Sequence, residues 1–123
     1  MPDTGFFNPQ DIQSIIGITE GMQIADFGCG AGTIAIMMAK LTGAHGRVTA
    51  IDVLPSALES VQARAHHEKL TNVIAIRTNL EVPGASGLAD ASQDVVYLAN
   101  ILWQSSKQAE ILAEPREIVV EPV

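Results

Sequence analysis

One cysteine, Cys29, stands in a chain of 123 residues, so no disulfide can close within it. Aromatic side chains are scarce as well, at 4 %, which leaves any core to Ile, Val, Leu, Ala and Met. No apolar run approaches the roughly 20 residues that a bilayer-spanning helix needs. The opening residues carry Asp3 and no basic stretch, unlike a secretory leader. A cytoplasmic protein without membrane association is therefore expected. Positive charge is the last shortage: 7 Lys and Arg face 14 Asp and Glu, for a net charge of −7. Lys40, Arg47, Arg64, Lys69, Arg77, Lys107 and Arg116 are scattered singly. Binding along a phosphate backbone draws on clustered cations, so a nucleic-acid partner is disfavoured. No metal site is expected either. The adjacent His66 and His67 would point about 100° apart on a helix, too divergent to share an ion.

What is present is a chain that is 47 % apolar, enough for one well-packed domain over residues 1–123. Its pattern alternates strands with helices. Asn8-Pro9-Gln10-Asp11 reads as a helix start, with an apolar face at Ile12, Ile15 and Ile16 and a stop at Gly17. A strand follows over 22–27, then a helix over 33–41 with Ile34, Met37, Met38 and Leu41 as its sheet-facing stripe. The turn Gly43-Ala44-His45-Gly46 leads to a second strand over 47–52. Pro55 and Ser56 open a helix with Leu58, Val61 and Ala65 on one face, closed by His66-His67-Glu68-Lys69. A third strand spans 73–77, a Gly/Ala/Ser-rich loop 83–92, and a fourth, nearly continuous apolar strand 95–99. A helix around 106–113 and a last strand over 118–120 complete the series. This order implies right-handed βαβ units: an α/β, Rossmann-like, doubly wound and mostly parallel sheet of about five strands with helices on both faces.

The densest signal is Ala25-Asp26-Phe27-Gly28-Cys29-Gly30-Ala31-Gly32, between the first strand and its helix. Glycines at alternate positions turn the backbone tightly and admit a ligand without an intervening Cβ. The following helix aims unpaired N–H groups and its positive dipole end at that place. An acid ahead of the glycines suits a ligand with an ammonium group and hydroxyls better than one made of phosphates. Cys29 beside a helix N-terminus allows a lowered thiol pKa. The simpler reading is a small residue fitted into the turn.

Ligands of such sheets bind beyond the carboxyl ends of the strands, where strand order reverses. The ends here supply Asp52 for ribose hydroxyls, Val53 and Leu80 as apolar walls for adenine, Asn79 for the adenine edge, and Asn100. The motifs 25–32, Ala50-Ile51-Asp52-Val53 and 94–100 together resemble the class I S-adenosylmethionine-dependent methyltransferases, from about Phe7 to Gln104. Phe6-Phe7-Asn8-Pro9 and Gly21-Met22 are similar to the small members with a generic methyltransferase domain. By that resemblance Gly28, Cys29, Gly30 and Gly32 surround the methionine part of the cofactor, and Asp26 supports its amino group. Asp52 holds the ribose, Asn79 and Leu80 hold the adenine, and Asn100 lies near the departing methyl. The sequence stops before the family's last two strands, which would leave the fifth strand an open edge and favour a homo-oligomer.

The resemblance implies methyl transfer by in-line displacement, with a small-molecule acceptor as the expectation. Holding donor and acceptor in line accounts for most of the acceleration. No residue stands out as a catalytic base; Glu81 qualifies by position only, and Trp103 either lines the acceptor pocket or packs on the sheet. Two alternatives remain. One is a cofactor-binding module that needs a partner for activity. The other is a nicotinamide-dependent Rossmann enzyme, which would prefer its third glycine at position 33, where this chain has Thr33.

Overall fold

A computed structural model describes residues 17–79, 87–88, 92–99 and 113–121. In chain order these residues form β1 (Gln23–Phe27), α1 (Thr33–Thr42), β2 (Arg47–Asp52), α2 (Pro55–His67), β3 (Val73–Arg77), β4 (Gln93–Ala99) and β5 (Ala113–Glu121). The helix expected after Pro9 lies outside the described residues, although Gly17, its expected end, has the left-handed φ of +71° that favours glycine. The helix expected around 106–113 lies outside them too, except that Ala113 belongs to β5. That strand begins five residues earlier than the apolar triplet Ile118-Val119-Val120 implied. Its opening Ala113-Glu114-Pro115 carries no apolar alternation to announce it, and Pro115 is tolerated because β5 lies at a sheet edge.

The strand order is β3-β2-β1-β4-β5, and every pairing among these strands is parallel. The chain winds from β1 through β2 to β3 on one side, then returns across β1 to place β4 and β5 on the other. Strand order therefore reverses between β1 and β4, which pair from Ile24↔Val95 to Phe27↔Leu98. Helices starting from either side of such a reversal diverge and leave a crevice at the carboxyl ends.

Alternation along each strand divides the core. Ile24, Val48, Ala50, Val95 and Tyr97 face one way, and α1 and α2 pack there through Ala35, Met38, Ala39, Leu58 and Val61. Ala25, Phe27, Ile51, Val96 and Leu98 face the other way and are fully buried as a second cluster. On α1 the deepest stripe is Ala35, Met38, Ala39 and Thr42; Ile34, Met37 and Leu41 flank it, half-buried. The buried face is thus rotated by about one residue from the one that the large apolar side chains mark. The small Ala35 and Ala39 let the helix axis settle close to the sheet, and the long side chains close the margins. On α2 the expected Leu58, Val61 and Ala65 are buried, joined by Ala57.

Side-chain hydrogen bonds fasten the end of the sheet remote from the crevice. Asn72, just before β3, donates from Nδ2 to the carbonyls of Ala39 (2.9 Å) and Gly43 (2.8 Å), tying the end of α1 to β3. The α2 terminus closes with Leu70 N–H donating to Ala65 O (2.8 Å) and Lys69 N–H to His66 O (3.1 Å). That pairing requires a left-handed residue at Lys69, whose φ is +60°.

Candidate cofactor site

The turn after β1 lies at the carboxyl end of the strand beside the strand-order reversal. Gly28, Gly30 and Gly32 all have positive φ, at 77°, 56° and 92°. Two of them face opposite demands. A Cβ on Gly30 would meet nothing within 4 Å, so the turn is open above it. A Cβ on Gly32 would come within 2.6 Å of Val61 Cγ2 and 3.1 Å of Val61 Cα. Gly32 is therefore required by packing against α2 as well as by its backbone, whereas Gly30 is the position that leaves room.

The glycine N–H groups are committed inside the protein. Gly28 and Cys29 both donate to the carbonyl of Ile51 at the end of β2, at 2.8 and 3.1 Å, and Gly32 donates to Cys29 O at 3.0 Å. Gly30 N–H donates to Asp52 Oδ2 at 3.0 Å, and Leu54 N–H to Asp52 Oδ1 at the same distance. The glycines shape the turn more than they offer donors. Asp26, on β1, is buried at 1 % exposure, on the strand face that α1 and α2 cover. Cys29 is also buried, and burial, reinforced by the nearby charges of Asp26 and Asp52, pushes its thiol up to about 12. Burial disfavours the thiolate, and Cys29 packs in the turn as a small residue.

Beside this turn, the β2–α2 connection presents Asp52, half-buried, followed by Val53 and Leu54, 51 % and 57 % exposed. An acidic acceptor thus adjoins exposed apolar surface. Arg77 Nε donates to Val53 O (3.2 Å) and Thr78 N–H to Asp52 O (3.0 Å), fastening the connection to β3. Asn79 follows β3 by two residues and is exposed on the same end of the sheet. Asp26, Gly28, Cys29, Gly30, Gly32, Asp52, Val53 and Asn79 therefore all fall at the carboxyl ends of β1, β2 and β3. Leu80 and Asn100 lie outside the described residues, as do Glu81 and Trp103.

Sequence reasoning missed three contributors. Leu54 donates to Asp52, the Ile51 carbonyl receives two turn N–H groups, and Val61 backs Gly32. The first had a signal: in Asp52-Val53-Leu54-Pro55 an acid stands three residues ahead of the first helical residue, a setting in which Asp side chains bond the backbone two residues on. The other two depend on β2 and α2 meeting the turn in space, which no local pattern records. Among the described residues no group of His, Cys, Asp and Glu could hold a metal, and no helix is long and apolar enough to cross a membrane.

A parallel sheet with a glycine turn at its reversal and an acid ending the next strand defines a Rossmann-like class I methyltransferase architecture. Residues 18–119 match the methyltransferase domain family, and the chain belongs to it. S-adenosylmethionine is the cofactor of that class. A SAM-dependent methyltransferase from Aquifex aeolicus superposes with a TM-score of 0.78 at 24 % identity, over 93 % of this chain and 63 % of that one. Ribosomal protein L11 methyltransferases from Methylococcus capsulatus and Pectobacterium carotovorum are 37 % and 41 % identical over 83 residues, or 68 % of this chain. The chain spans about a quarter of the length of these curated relatives (25 %). Their names correct one expectation: the acceptor they name is a protein, not a small molecule. The expected homo-oligomer drew on where the sequence stops, and the quarter share removes that ground.

Proposed function

We propose that this chain is the S-adenosylmethionine-binding domain of an enzyme that methylates a protein. The observation that carries the reading is the glycine turn joined to Asp52 at the strand-order reversal, in a chain of the methyltransferase domain family. The residues present fit an adenosyl ligand. Open space lies above Gly30, a half-buried carboxylate at Asp52 supplies acceptors for ribose hydroxyls, and exposed Val53 and Leu54 supply apolar surface for a base. Bound there, S-adenosylmethionine supplies a methyl group on a sulfonium, already activated for in-line displacement.

The contacts with the cofactor divide among the residues. Gly28, Cys29, Gly30 and Gly32 form the wall around the methionine portion, and Asp26 supports its amino group through the turn. Asp52 holds the ribose, Val53 and Asn79 border the adenine, and Leu80 and Asn100 complete the adenine and methyl ends. A neutral nitrogen acceptor attacks the methyl with its own lone pair and releases its proton to solvent after transfer, so no base is needed for the attack itself and orientation supplies most of the acceleration. A protein acceptor is supported by the L11 methyltransferases among the relatives. The domain covers residues 1–123 and would be carried by a longer enzyme, as in those relatives. Incubation of the enzyme that carries this domain with S-adenosylmethionine labelled in its methyl group and purified ribosomal protein L11 tests this. Label on the protein is expected; label only on a small molecule would overturn the assignment.

A further inference from the structure

Asp52 makes two contacts that its task toward a ribose does not require. Its Oδ2 accepts from Gly30 N–H and its Oδ1 from Leu54 N–H, both at 3.0 Å. Gly30 is the exposed apex of the β1–α1 turn, and Leu54 is the residue from which α2 starts. One carboxylate therefore joins two separate loops of the crevice, 22 residues apart on one side and 2 on the other. Gly30 is the residue of the turn that such a tether suits. An added Cβ there would meet nothing within 4 Å, in contrast to Gly32, which Val61 confines, while Cys29 and Gly32 on either side are held by backbone bonds to Ile51 O and Cys29 O.

We infer that Asp52 is a positioning residue that fixes the glycine turn against the β2–α2 connection before any ligand arrives. The inference deepens the cofactor reading and rests on it for the ligand's identity. A carboxylate has about four lone-pair sites. Two serve the loops, and the remainder stay available to a pair of hydroxyls, so one side chain both builds the crevice and reads what enters it. A hydrogen bond to a charged acceptor contributes more than a neutral one, which suits an exposed tether with no packing behind it. The consequence is that replacing Asp52 loosens Gly30 even when no cofactor is present.

The test is amide hydrogen exchange and the proton–nitrogen spectrum of the full chain without cofactor, for wild type, Asp52→Ala and Asp52→Asn. In Asp52→Ala, Gly30 exchange should rise about tenfold or more, the scale set by losing a hydrogen bond to a charged group, and the Gly30 and Leu54 amide protons should both shift upfield. Asp52→Asn keeps one acceptor oxygen and should preserve one of those two resonances, a partial rescue that mere loss of bulk would not give. The Gly46 amide, bonded to Gly43 O at the far end of the sheet, reports whether the variants remain folded and should not change. Unchanged Gly30 and Leu54 amides in Asp52→Ala would overturn the positioning role, whatever the cofactor affinity. Calorimetry of the wild type with S-adenosylmethionine separates the two ideas, since failure to bind would strike the cofactor reading and leave the exchange result standing.

Discussion

Gly32 shows how much one missing methyl group decides. Its φ of +92° lies where a Cβ is strained, and the same Cβ would press on Val61. Backbone strain of this kind costs about 1–3 kcal/mol, and Val61, fully buried, has little freedom to retreat. Gly32→Ala should therefore lower the unfolding free energy by at least about 2 kcal/mol, measured by urea titration. An equal change at the open Gly30 should cost less, because only the backbone term applies there. Cys29 makes a pH-dependent contribution whose sign follows from its environment. Its folded pKa, about 12, lies above its ordinary 9.0 because burial and then the charges of Asp26 and Asp52 disfavour the thiolate. That contribution is fully present below pH 9 and declines as pH rises from there toward 12. The stability difference between wild type and Cys29→Ala, followed under reducing conditions, should shrink across that window. The tight turn at the glycines and the place of Asp52 at the end of β2 were legible because φ preference and strand-end position are local properties. The internal use of the glycine N–H groups was not, since their acceptors, Ile51 O and Asp52, arrive from another strand.

Elements were legible where periodicity was strong. The bounds of β2 and β3 and the start of α1 agree with the sequence pattern, because turn residues punctuate them: Gly46 before β2, Asn72 before β3, and Gly32 before α1. The buried face of α1 was misread by one position. Ala35 and Ala39 contribute little hydrophobic signal, yet they are buried in the centre of the helix's inner face. The beginning of β5 was misread because an edge strand needs only its ladder, not an apolar alternation. The end of α2 offers a test at this scale. Lys69 occupies the left-handed position where glycine is favoured, and an L-residue there is disfavoured by roughly 1–2 kcal/mol. Lys69→Gly should stabilise the fold by about 0.5–1 kcal/mol after the added freedom of the unfolded chain is counted, seen as a raised midpoint in thermal unfolding. A lowered midpoint would mean that Lys69 makes a compensating contact. Nearby, Glu68 is held below the usual carboxylate range by its hydrogen bond and charge contact with Lys40, 2.8 Å away. Both side chains are well exposed, so removing the pair should leave stability nearly unchanged.

The whole molecule joins these pieces into one surface. Strand order reverses between β1 and β4, the glycine turn follows β1 at that place, and Asp52 links that turn to the β2–α2 connection. The acceptor was not legible, because none of the residues that the sequence singles out distinguishes a protein from a small molecule, and the relatives whose names give a protein substrate are about four times the length of this chain (25 % covered). Calorimetric titration with S-adenosylmethionine, S-adenosylhomocysteine and NAD, on wild type and Asp52→Ala, is the most direct test. Micromolar binding of the first two, absent for NAD and lost in the variant, is the expected result. Binding of NAD in their place, or an Asp52→Ala protein that binds S-adenosylmethionine as tightly as wild type, would contradict the cofactor site described here.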